Sequence, residues 1–143
     1  MATGQTILTL ASIVLLAIIT MSIRQTYVQS VHNSVDAQYT SDAVNFGRTL
    51  SERLQSYSSD PNLYNELDND FGAFNDETDP GARLEFISPA GETLYATIDL
   101  SAETNLLYDQ TGRRAVIRIY EEENDSYRKK SEYVTIIVNL FGD

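Results

Sequence analysis

The sequence predicts an α+β protein: one long N-terminal helix, apolar and then amphipathic, packed on a four-stranded antiparallel sheet. Three observations predict it. An uncharged apolar run opens the chain, apolar residues then recur at helical spacing, and from Arg83 onward the period shortens to two. The strands need a cover for their apolar faces and the helix needs a surface for its stripe. One helix laid across the sheet satisfies both.

The run Ile7 to Ile23 reads ILTLASIVLLAIITMSI and holds no charged residue. Its length is at the short end of what spans a bilayer, about 17–25 residues. In lipid it must be helical, because a helix alone among single segments satisfies its own backbone. The hydroxyls of Thr9, Ser12, Thr20 and Ser22 can bond back to that helix. Met1-Ala-Thr-Gly4 carries no basic residue and no small-x-small cleavage site follows the run, so it does not read as a removable signal peptide. Arg24 on the C-terminal side weakly favours a cytoplasmic C-terminus.

From Val28 the apolar positions are Val28, Val31, Val35, Tyr39, Ala43, Phe46, Leu50, Leu54 and Tyr57, spaced three or four apart. They form one continuous stripe at a period near 3.6, expected to pack against the protein's own head, with a coiled coil with another chain as the alternative. Gly47 interrupts it, which marks a bend or a close contact. The cluster Ser58-Ser59-Asp60-Pro61-Asn62 ends the helix near Tyr57. The segment Leu63–Phe74 is expected to hold one short helical turn, with Asp60 as cap and Pro61 at the first helical position. Residues 68–80 then read as an acidic loop.

Arg83–Ile87 and Thr93–Asp99 read as a hairpin about Pro89-Ala90-Gly91-Glu92, with Leu94, Ala96 and Ile98 on one face. A longer connection covers residues 100–112 and ends in Asp109-Gln110-Thr111-Gly112. Arg114–Tyr120 is the third strand, facing Ala115, Ile117 and Ile119 inward, and Glu121–Lys130 a charged connection. Tyr133–Leu140 is the fourth, with Val134, Ile136, Val138 and Leu140 as its apolar side. The organisation is therefore a leader candidate at 1–4, a helix at 5–57 (apolar to 23, amphipathic from 24) and a β head at 58–143.

The formal net charge of −11 disfavours nucleic acid, whose phosphates need a basic patch. The absence of cysteine removes disulfides, zinc–thiolate sites and thiol chemistry. His32 lies in the amphipathic helix, with no second histidine to share a metal, and is expected to be solvated or interfacial rather than a ligand. No nucleophile–base arrangement and no glycine-rich phosphate loop stands in the chain, so neither an enzyme nor a cofactor is expected. Asp68, Asp70, Asp76, Glu77 and Asp79 offer hard oxygen ligands for Ca²⁺, without the spacing of an EF-hand; a solvated acidic loop is the plainer reading. The acidic run 121–123 and basic run 128–130 read as a solvated turn or as opposite-sign contacts between subunits.

Gly4-Gln5, the uncharged helix, its amphipathic continuation and the C-terminal sheet together resemble the type IV pilin superfamily. The resemblance covers the whole chain as architecture and about the first 25 residues as sequence. Thr9 stands where bacterial members carry glutamate, so the chain looks closer to archaeal or minor pilins. The resemblance implies cleavage by a prepilin peptidase between Gly4 and Gln5. It also implies a membrane pool fed to an inner-membrane assembly platform and a homo-oligomeric helical filament outside the cell, serving adhesion or motility. Ile7, Leu8, Leu10, Ile13, Val14, Leu15, Leu16, Ile18 and Ile19 would carry self-assembly. The alternatives are a minor pilin or pseudopilin, and a single-pass membrane-anchored binding protein that does not polymerise.

Overall fold

The computed structural model describes residues 2–106 and 110–140. A 55-residue helix α1 (Ala2–Ser56) is followed by a 3-10 turn (Tyr57–Ser59) and helix α2 (Leu63–Phe71). Five strands complete the chain: β1 (Leu84–Ile87), β2 (Thr93–Leu100), β3 (Thr104–Asn105), β4 (Thr111–Glu123) and β5 (Ser126–Val138). Two compact units result, Met1–Ala37 and Gln38–Asp143.

In the second unit all strand pairs are antiparallel. Gly112 pairs with Thr104 and with Val138, and Ala115 with Leu100 and with Thr135. β2 and the two-residue β3 therefore share one edge of β4, and β5 takes the other. The result is a meander, β1-β2-β4-β5, with β3 as a short extension, so the expected four strands gain a minor fifth.

The core lies between this sheet and the C-terminal part of α1. Ala43, Leu50 and Leu54 from the helix meet Leu94, Ala96 and Ile98 of β2 and Ala115, Ile117 and Ile119 of β4 in one cluster. Phe46 stacks on Phe86 at 4.5 Å between ring centroids. Gly47 makes a close contact. A Cβ there would stand 2.5 Å from the Tyr133 ring, whose hydroxyl donates to the Val44 carbonyl. α2 is longer than the single expected turn, because Leu63, Leu67 and Phe71 at four-residue spacing all reach the core. It also starts later than expected. Asp60 accepts from the Asn62 amide, and helical structure begins at Leu63.

Two expectations are corrected. The segment 121–130 is not a connection but the end of a long hairpin. Glu123 pairs with Ser126, and Asn124 and Asp125 sit at φ 53° and 59°, the left-handed pair of a two-residue turn whose twist matches its strands. The second correction concerns β5, whose inner face is Tyr133, Thr135 and Ile137. Val134 and Ile136 point outward, 61% and 53% exposed, and Leu140 beyond the strand is also exposed. Register decides this. Tyr133 and Thr135 sit opposite Ile117 and Ala115, which face the helix, and Gln55 donates to the Thr135 hydroxyl at 2.8 Å.

Candidate assembly surfaces

The apolar run folds as expected into α1, which is long and apolar enough to cross a membrane. The nine aliphatic residues from Ile7 to Ile19 singled out above are all 46–73% exposed. Burying each such side chain would be worth about 1.5–3 kcal/mol, so leaving this surface in water is costly. Three of the run's four hydroxyls bond back to the helix as expected. Thr9, Ser12 and Thr20 donate to the carbonyls of Gln5, Leu8 and Leu16 at 2.8–2.9 Å. The carbonyl of Ser22 accepts from Thr26. The length, composition and internally bonded hydroxyls of the run suit a membrane-spanning helix.

The candidate processing residues Gly4 and Gln5 lie in the first turn of α1, and the Gly4 surroundings are open. First-turn amides have no intrahelical partner, so local unwinding there costs little. The amphipathic stripe divides in two. Val28, Val31 and Val35 remain 41–47% exposed, whereas Ala43, Leu50 and Leu54 are buried in the head. Expected packing thus begins near Tyr39, and the first turns of the stripe continue the exposed apolar surface. His32 is exposed, as expected.

The acidic residues considered for Ca²⁺ take separate partners. Asp68 pairs with Arg113 at 2.7 Å, and Asp70 accepts from the Tyr57 hydroxyl. Asp76 accepts from the amide and hydroxyl of Thr78, and Asp79 from the Gly81 amide. The Thr78 bonds hold the Asp76 carboxyl below its usual range. Among the described residues no group of three acidic or histidine side chains is placed to hold a metal ion.

The outer face of the sheet is a surface that sequence reasoning missed. Val134 and Ile136 flank the buried Val116, with Arg114 and Arg118 beside them on β4. At the other side of the face, Arg83 stacks 3.7 Å over the Tyr95 ring, donates to Tyr127 Oη at 2.6 Å and to the Glu77 carbonyl at 2.8 Å. It thereby ties the acidic loop to the sheet. Burial and a bond to Glu122 push the Tyr95 phenol up. The signal for the outward row was present: Tyr133–Ile137 is apolar at both parities, so alternation alone could not choose the buried face.

The charged runs pair with each other inside one hairpin. Lys130 meets Glu121 at 2.5 Å with both side chains nearly buried, and Arg128 meets Glu123 at 3.7 Å. Lys129 and Arg118 share Glu132, whose carboxyl they hold below its usual range, Lys129 more strongly. Comparison of the chain with protein-family models, curated proteins and solved structures found no match.

Proposed function

We propose that this chain is the structural subunit of a filament, stored in a membrane and polymerised through its N-terminal helix. The observation that carries this reading is the exposed aliphatic surface of α1, continued past the bilayer-length run by Val28, Val31 and Val35. A simple anchor has no use for apolar residues beyond its membrane span. A helix transferred from lipid to a core of identical helices does. Subunits displaced along a common axis make head-to-tail contacts that do not close, and such contacts generate a helical polymer. In this reading a peptidase cuts between Gly4 and Gln5, and the Gln38–Asp143 unit forms the outer surface. The second reading, a single-pass binding protein that stays monomeric, is favoured by Arg24 on the C-terminal side of the run.

The test is Leu15→Asp and Leu16→Asp in the full chain. An aspartate at the centre of an apolar helix costs about 2.5–3.5 kcal/mol on insertion scales, and more when it meets identical charges across a core. Filaments should be lost while the protease resistance of the head is unchanged. Filaments persisting at wild-type yield would refute the proposal.

A further inference from the structure

We infer that the two open edges of the head's sheet pair with each other between neighbouring copies, β5 of one chain against β1 of the next. The contact deepens the filament reading by naming the lateral partner of each head, a second copy of this chain.

Both edges are open. Among the described residues every backbone bond of β5 goes to β4, and every one of β1 to β2. Natural proteins blunt such edges with charges and bulges, and β5 does so over half its length. Arg128, Lys129, Lys130 and Glu132 occupy its first half, with a register shift opposite Ile119 and Tyr120. From Tyr133 to Val138 there is no charge, no proline and no bulge. That stretch is rich in β-branched residues and shows Val134 and Ile136 to solvent. β1 is the matching edge, with Ile87 67% exposed on the same outer face.

The even number of strands makes the match work. In a β1-β2-β4-β5 meander, β1 and β5 run in opposite directions. A second copy set alongside in the same orientation therefore presents its β1 antiparallel to β5, with outer faces continuous. A filament of equivalent subunits requires this same-orientation contact, and a twofold β5–β5 pair would break it. Charge favours the match as well. The segment 76–92 carries Asp76, Glu77, Asp79, Glu85 and Glu92 against the single cation Arg83, while the three cations of β5 are already paired within their hairpin, so the charge match rests on Arg114. With Ile87 set against Val134, Glu85 falls beside Ile136. On the far side of Ile136 stands Arg114, exposed and without an ion pair among the described residues.

The chain has no native cysteine, which makes disulfide trapping in the full-length protein at the cell surface clean. Oxidation of the double variant Ile87→Cys, Val134→Cys should give a ladder of dimers, trimers and higher species, and each single variant only monomer. Both sites are exposed, so folding is not at risk. Adding Arg114→Glu should cut the species above dimer severalfold, and adding Glu85→Arg as well should restore them. A double variant that stays monomeric, or dimers from Val134→Cys alone, would overturn the inference. Filaments without the ladder refute the lateral contact alone. The ladder without filaments supports the contact and refutes the filament reading.

Discussion

Gly47 shows how one residue sets a helix–sheet distance. Its missing Cβ admits the Tyr133 ring, and the ring's hydroxyl then reaches the Val44 carbonyl. Alanine there gains up to about 1 kcal/mol in helix propensity but overpacks at a cost of about 1–3 kcal/mol. Gly47→Ala should therefore lower the unfolding midpoint of the solubilised chain, by a net amount of about 1 kcal/mol, the difference of those two effects. Combined with Tyr133→Leu, which removes the ring edge, the same alanine should no longer destabilise. Equal losses in both backgrounds would contradict the contact. Tyr57 and Tyr95 behave differently from exposed phenols. The bond to Asp70, then burial, raises Tyr57, while burial first and Glu122 second raise Tyr95. A phenol that holds its proton more tightly when folded stabilises the fold fully below the unfolded value of about 10. That contribution is lost as pH rises from there through the folded value. Ultraviolet titration should show Tyr57→Phe and Tyr95→Phe each removing a late-ionising phenol and flattening the alkaline fall in stability.

Among the elements, α1 and the β4–β5 hairpin differ in how far their sequences disclose them. The helix is legible over its whole length because its period is unbroken, although the period alone does not say where apolar residues stop facing solvent or lipid and start facing protein. That boundary is tertiary: Val35 is exposed and Ala43 is buried, with the same spacing on either side. The hairpin was harder to read. Glu121–Lys130 looks like a solvated loop by charge, yet Asn124-Asp125 is a pair suited to left-handed turn positions, and it closes strands that run to the very tip. The charges are tolerated in strands because they pair across them. Glu121 and Lys130 form the most buried of these pairs. Removing one partner of a buried pair costs about 3–5 kcal/mol, whereas replacing both by apolar groups is often neutral. Lys130→Met should thus destabilise strongly by chemical denaturation, and Glu121→Leu added to it should recover most of the loss. A double variant as unstable as the single would show that the pair is not what Lys130 supplies.

For the molecule as a whole, the α+β class, the strand directions and the inner faces of β2 and β4 follow from composition and period. The inner face of β5 does not, because both parities of Tyr133–Ile137 are apolar and only its register against β4 decides. The exposed apolar surface of α1 is legible as a charge-free run; that of the sheet is not, because it depends on Val134 and Ile136 facing outward. Together they describe a chain with more apolar surface than a single copy can bury, on its N-terminal helix and on one edge of its head. A second solvent for the helix and a neighbour for the edge are the same requirement in a polymer. Electron microscopy of material sheared from the cell surface, with peptide mass spectrometry of the same fraction, tests that claim most directly. The account predicts filaments that contain this chain with Gln5 as the first residue. Recovery of the whole chain in the membrane fraction, with no filament that contains it, would contradict the account.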